Sequence, residues 1–210
     1  RIIRNDMIEE FDSLYVQVYG QPPGTNDPVY HGSQIKGEFI RAWNELIGLI
    51  QNTEGTFTFL EVGAYRGLWP LMLSFVCERL NKDFIYTTVT WLEQDPNNEG
   101  IHKVQAYYES KGLQFNLVDK NSQLPETLEE LEDSYHVTFI DADHRYEGVK
   151  KDIEIYSSLA TKLLMFHDIR PKDTTPNCGV YQAIEDCGIT LDEEIVVDGQ
   201  KMGIGFKWIV

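Results

Sequence analysis

The spacing of hydrophobic positions changes along the chain, and the changes outline its elements. Asn5–Tyr19 carries Ile8, Phe11, Tyr15 and Val18 at helical spacing, with Asp6 and Glu9 placed as a capping box. Gln34–Gln51 repeats the pattern with Ile35, Phe39, Trp43, Leu46 and Ile50, behind Ser33 as a cap. Stripes of Phe and Trp at this spacing read as core. Between the two lies Gly20–Ser33, GQPPGTNDPVYHGS, whose Pro and Gly content reads as a connecting loop, with His31 as a surface residue. From Phe57 the pattern tightens. Phe57–Gly67, FTFLEVGAYRG, reads as a short buried strand ending near Glu61, then a turn framed by Gly63 and Gly67. Leu68–Leu80 follows as a helix, with Pro70 tolerated in its first turn.

Strands and helices then alternate. Phe84–Glu93 is β-branched and aromatic, hence a strand. Asp95-Pro96 opens a helix that Gly112 stops. Leu113–Val118 is a strand and Pro125–Asp133 a short acidic helix. His136–Ile140 and Lys162–Phe166 are strands on either side of a helix at Tyr146–Ala160. A polar loop with Pro171 and Pro176 leads to a helix at Val180–Cys187. Ile189–Val197 and Lys201–Val210 flank Asp198-Gly199, a hairpin turn signal. This alternation predicts an α/β fold: a Rossmann-like, doubly wound, mostly parallel sheet with an antiparallel C-terminal hairpin, plus N-terminal helices. Residues 1–52 are expected to form a helical cap continuous with a domain over 53–210.

Composition narrows the partners. The 210 residues include 34 acids against 18 Lys and Arg, a formal net charge of −16. Binding to nucleic acid depends on neutralising phosphates, so this balance argues against DNA, RNA and anionic membranes. No apolar run is long enough for a membrane span, and the first residues do not read as a signal peptide. The chain starts at Arg1, so upstream residues are expected. Cys77, Cys178 and Cys187 form no CxxC pair, which fits a reducing cytoplasm. The sequence is compatible with a homo-oligomer.

Candidate chemistry collects at one end of the expected sheet. Successive strand exits carry Glu61, Glu93, Asn121 with Ser122, Asp141 with Asp143 and His144, then His167 with Asp168. Ligands of open α/β sheets bind beyond the carboxyl ends of the strands. A carboxylate followed by two spaced glycines there suits a small ligand carrying an amine. An acid at the end of the second strand suits a ribose diol.

Glu61-Val62-Gly63-Ala64-Tyr65-Arg66-Gly67 has the E/D-x-G-x-x-x-G form, and Phe139–Val149 reads FIDADHRYEGV, followed by Phe166-His167-Asp168-Ile169. With these motifs the chain resembles class I S-adenosylmethionine-dependent methyltransferases from about Phe57 to Val210. It looks like the subgroup carrying "IDGDHSYEGV…HDI", and is similar to Mg²⁺-dependent sugar O-methyltransferases and cephalosporin-hydroxylase-like proteins. The resemblance implies a seven-stranded sheet and S-adenosylmethionine as cofactor. It implies that Glu61, Gly63 and Gly67 hold the methionine moiety, with Glu61 facing the ammonium directly or through water. It implies that Glu93 accepts the ribose hydroxyls, that Asn121 and Ser122 lie near the adenine, and that Asp141 borders the cofactor. It further implies Mg²⁺ on Asp141 and Asp168, the hard carboxylates, with His167 a less natural ligand.

The expected reaction is methyl transfer to a small, hydroxylated acceptor such as a sugar, with Asp141, His144 and His167 as the catalytic groups. Arg145 and Tyr146 are expected to orient substrate, or Tyr146 to pack at a helix start. Arg66 and Trp69 are expected to line or cover the cofactor entrance. Two departures stand out: Leu68-Trp69-Pro70 replaces small polar residues, and Leu159–Lys162 lacks a Pro-Gly-Gly turn. The competing readings are a cofactor-binding oxidoreductase, against which two glycines instead of three count, and a non-catalytic interaction module.

Overall fold

The computed structural model describes residues 5–20, 32–94, 99–169, 178–196 and 202–210. The expected loop with His31, the Asp95-Pro96 helix start, Pro171, Pro176 and the Asp198-Gly199 turn lie outside the described residues, as do the side chains of Asp6 and Ser33. The elements, in order, are α1 (Asn5–Tyr19), α2 (Gly32–Asn52), β1 (Phe57–Val62), α3 (Leu68–Leu80), β2 (Phe84–Val89), α4 (Glu99–Lys111) and β3 (Gln114–Val118). Then come α5 (Pro125–Leu128), β4 (Tyr135–Ile140), α6 (Tyr146–Tyr156), a 3-10 turn (Ser157–Leu159), β5 (Ala160–His167), α7 (Val180–Asp186), β6 (Glu193–Ile195) and β7 (Ile204–Trp208).

The strands form one seven-stranded sheet in the order β3-β2-β1-β4-β5-β7-β6. β1, β4 and β5 run parallel, and β7 lies antiparallel between β5 and β6. This is the predicted doubly wound sheet with an antiparallel C-terminal pair. The strand order reverses between β1 and β4, which makes their carboxyl ends the topological switch point.

Several boundaries differ from the periodicity: α2 starts at Gly32, α5 ends at Leu128, and the hairpin strands shorten to Glu193–Ile195 and Ile204–Trp208. Two further differences have a visible cause. β2 stops at Val89 instead of Glu93, because the chain turns over Leu92–Gln94 and the Asp119 carboxylate accepts the Leu92 N–H at 2.9 Å. The helix expected to reach Ala160 ends at Tyr156. The 3-10 turn then delivers Ala160 into β5, opposite Tyr135 on β4.

The chain divides into two compact units. One comprises Arg1–Phe57, Tyr65–Ile85 and Asp95–Phe115; the other comprises Thr58–Ala64, Tyr86–Gln94 and Asn116–Val210. The first is held by aromatic packing. Phe11 sits edge-on to Phe75 at 5.4 Å between centroids, and Phe39 packs edge-on against Trp69 at 5.1 Å. Trp43 lies 5.4 Å from Trp69. Trp69 is therefore part of a buried aromatic cluster within this unit. The bulky Leu68-Trp69-Pro70 departure is explained by that packing. Among the described residues, no helix is long and apolar enough to cross a membrane.

In the second unit the apolar face of α6, Val149, Ile153 and Tyr156, joins Val180, Ala183 and Ile184 of α7 over Leu60, Ile140, Leu164 and Phe166 of the sheet. This core fixes the strand ends of β1, β4 and β5 relative to one another. All three cysteines are free.

Candidate functional site

At the switch point the backbones of two turns approach closely. Asp141 N–H donates to Val62 O at 2.8 Å, and Gly63 N–H donates to Val89 O at 2.8 Å. Gly63 has φ +94°, and a Cβ there would meet Asp141 O at 2.3 Å and Ala142 Cα at 2.7 Å. Only glycine fits. The requirement comes from the β4 exit and holds with or without a ligand. Ala64 N–H then donates to Thr90 Oγ1 at 3.2 Å, tying the same turn to the β2 exit. Gly67, in the other unit, caps α3 with φ +85°, and its missing Cβ gives room to Ile101 and Val104. Tyr65 also has a left-handed backbone, φ 47°.

Glu61 is not on the open rim. It is 1 % exposed, and its carboxylate accepts a hydrogen bond from Tyr86 Oη. Burial pushes its pKa well above the ordinary range; the Tyr86 bond opposes this, and the Asp141 charge reinforces it. A direct contact between this carboxyl and a cofactor ammonium would have to displace or share the tyrosine. Glu93 stands exposed on the turn beyond β2.

The side chains of Asn121 and Ser122 are both already engaged. Asn121 Oδ1 accepts the Gln123 N–H at 2.9 Å, and Ser122 Oγ donates to Asp152 Oδ1 at 2.7 Å. Tyr156 Oη donates to Ser122 O at 2.5 Å. Asp152, fully buried on α6, is therefore the anchor of this loop. Burial raises its pKa from 3.8 to about 6, against the lowering effect of the Ser122 bond. A raised carboxyl contributes stability below its ordinary pKa and loses it as pH climbs through the folded value. Asp152→Asn, which keeps an acceptor for Ser122, is expected to gain up to about 3 kcal/mol over the parent at pH 7.5, and much less at pH 4.5. Urea unfolding at the two pH values checks this; an equal change at both would contradict it.

The exits of β4 and β5 bring four of the expected residues together. Asp141 Oδ1 pairs with His144 Nε2 and with His167 Nδ1, both at 3.2 Å. His144 Nε2 also lies 2.9 Å from Asp168 Oδ2, and His167 Nδ1 lies 3.7 Å from Asp168 Oδ1. One donor atom from each residue falls within 4.8 Å of all the others. Burial alone would raise the Asp141 carboxyl, but His167 and His144 outweigh it and hold the pKa below the ordinary range. Burial would depress His144; the bonds to Asp141 and Asp168 override it and raise the imidazole well above its usual value. Both carboxylates therefore favour the protonated form of His144.

The local sequence explains how these groups are delivered. Asp168 takes a left-handed backbone, φ 55°, which aspartate tolerates better than most residues and which turns its carboxylate back toward His144. Asp143 faces away from the cluster. Its carboxylate accepts the Arg145 N–H at 2.9 Å and pairs with the Arg145 guanidinium. Gly148 makes room for it, since a Cβ there would lie 2.1 Å from Asp143 Oδ2. Gly179 N–H donates to His144 O at 2.8 Å. Tyr146 Oη donates to Asp186 at 2.7 Å, joining α6 to α7. Arg145 and Tyr146 therefore have structural partners.

A family profile described as a methyltransferase domain matches residues 60–169, just over half of the 210. The chain belongs to this family. No curated protein matches it. Solved structures share its fold at low identity. An S-adenosylhomocysteine-bound Podospora anserina methyltransferase is 14 % identical with a TM-score of 0.56, over 100 % of this chain and 90 % of that one. Aeropyrum pernix fibrillarin with bound S-adenosylmethionine is 11 % identical with a TM-score of 0.53, over 78 % and 73 %. A Listeria monocytogenes protein described as a putative class I methyltransferase is 11 % identical with a TM-score of 0.58, over 96 % and 68 %. The matched segment of this methyltransferase domain runs from inside β1 to Ile169, so it contains Glu61, Gly63 and the whole Asp141–Asp168 cluster.

Three features had no signal in the sequence: the Tyr86 partner of Glu61, the Asp152 anchor and the His144–Asp168 contact. Each joins residues far apart in the chain or depends on one unusual backbone angle. The donor set of the cluster suits a divalent cation: two carboxylates and two imidazoles converge, and Asp168 Oδ1 is buried with no hydrogen-bond partner among the described residues.

Proposed function

We propose that this chain is an S-adenosylmethionine-dependent methyltransferase that methylates a hydroxyl of a small molecule such as a sugar. The convergence of Asp141, His144, His167 and Asp168 beside the switch point carries this reading. The family match supports the reaction class, and the cofactors named for the Podospora and Aeropyrum structures support the methyl donor. A hydride-transferring oxidoreductase is disfavoured by the same match.

In this reading Glu61 and Gly63 receive the methionine moiety, and Gly67 caps α3. Glu93, exposed and free of the sheet, accepts the ribose hydroxyls. The backbone around Asn121 and Ser122 borders the adenine, since both side chains are already engaged. Methyl transfer is a displacement at a sulfonium, so the protein's work is to align the acceptor oxygen and remove its proton. With no ion in the cluster, His167 takes that proton at the β5 exit, oriented by Asp141. His144 balances the charge of Asp141 and Asp168. A divalent cation on Asp141 and Asp168 would lower the pKa of the acceptor hydroxyl. The sparse set of three cysteines, with no CxxC pair, supports a reducing, cytoplasmic setting.

The test is incubation with methyl-tritiated S-adenosylmethionine and a panel of sugars, sugar nucleotides and phenols. Label is expected in a base-stable ether. Label confined to amines or carboxyl groups would contradict the acceptor class.

A further inference from the structure

Mg²⁺ prefers oxygen donors in a near-ideal octahedron and keeps several waters. The cluster at the ends of β4 and β5 offers something else. Half of its donors are imidazole nitrogens, His144 Nε2 and His167 Nδ1, and they come from both strand exits. The edges of the cluster are also informative. The separations are 2.9 Å from His144 Nε2 to Asp168 Oδ2, 3.2 Å from each histidine to Asp141 Oδ1, and 3.7 Å from His167 Nδ1 to Asp168 Oδ1. Metal–ligand bonds of about 2.1 Å give adjacent donors about 3.0 Å apart in an octahedron and about 3.4 Å in a tetrahedron. Asp168 meets His144 through Oδ2 and His167 through Oδ1, and one donor atom from each of the four residues lies within 4.8 Å of the others, so the set draws together on one ion by side-chain rotation without backbone change.

We propose that Asp141, His144, His167 and Asp168 form a four-donor site for a borderline first-row transition ion, Mn²⁺, Fe²⁺, Co²⁺ or Zn²⁺, in place of Mg²⁺. This deepens the methyltransferase reading and rests on it for the role of the ion, though not for its binding. Three observations support the site independently of the acid count. Imidazole is the donor that separates these ions from Mg²⁺. Asp168 is 8 % exposed, and its Oδ1, on the His167 side, has no hydrogen-bond partner among the described residues. The left-handed backbone of Asp168 is also the kind of local strain that gathers at functional sites, here aiming the carboxylate at His144. Two carboxylates match the charge of a divalent ion, leaving coordination positions for water or an acceptor oxygen.

The test uses the full chain stripped with EDTA and titrated with Mg²⁺, Mn²⁺, Co²⁺ and Zn²⁺ by calorimetry. One ion per chain is expected, with the transition ions bound at least ~100-fold more tightly than Mg²⁺. The proton NMR spectrum of the Co²⁺ form should show two hyperfine-shifted, solvent-exchangeable imidazole N–H signals. His144→Gln and His167→Gln should each remove one signal and weaken Co²⁺ by roughly 10–100-fold. The wild-type spectrum decides the matter even if a variant fails to fold. Mg²⁺ binding as tightly as Mn²⁺ and Co²⁺, absence of both imidazole signals, or no binding of any ion would overturn the proposal. S-adenosylhomocysteine binding, measured on the same stripped protein, separates these outcomes from failure of the methyltransferase reading.

Discussion

Replacing Gly63 by valine is expected to be strongly destabilising. A Cβ at this position would lie 2.3 Å from a backbone oxygen, and φ +94° is hostile to any β-branched residue. Neither neighbour can yield cheaply. Asp141 O belongs to the turn whose N–H is bonded to Val62, and Gly63 N–H is bonded to Val89. The expected cost is above about 3 kcal/mol, against a typical domain stability of about 5–15 kcal/mol. Gly112→Ala isolates the contribution of backbone angle, because Gly112 has φ +67° with nothing within 4 Å of its would-be Cβ. That change should cost only about 1–2 kcal/mol. Urea unfolding of both variants checks the pair; a Gly63→Val cost no larger than that of Gly112→Ala would contradict the close-approach account.

Asp141→Asn is the second large effect, and it is chemical. Asp141 is the hub of the cluster, because one of its oxygens serves both histidines. The amide retains the shape and an acceptor but loses the charge that orients His167 and counters His144. Turnover is expected to fall by roughly 10²–10⁴, the range of a lost general acid–base contribution, and the loss should appear in kcat more than in KM for the cofactor. Circular dichroism should be unchanged. Activity within threefold of the parent would remove Asp141 from the chemistry.

The fold was legible because its pattern is local. Helical spacing in Asn5–Tyr19 and Leu68–Leu80 reproduces α1 and α3 residue for residue, and the β-branched run after Phe84 marks β2. The end of β2 was not legible. Thr90–Glu93 has strand composition, yet the chain turns there because Asp119, distant in sequence, captures Leu92 N–H. The same distinction applies to the site. Asp141, His144, His167 and Asp168 could be named from their motif and their position at strand ends, and the structure brings all four together. That Glu61 is buried against Tyr86, and that Ser122 is spent on Asp152, follows only from three-dimensional packing. The motif names candidate residues; only packing shows which of their atoms are already engaged.

Calorimetric titration of the purified chain with S-adenosylhomocysteine, beside NAD as a control, tests the central claim most directly. The account predicts one site per chain for the sulfur nucleoside, no heat from NAD, and weaker binding by on the order of 1–3 kcal/mol in Glu93→Ala, where a charge-assisted hydrogen bond to the ribose is lost. Saturable binding of NAD with none of S-adenosylhomocysteine would contradict it.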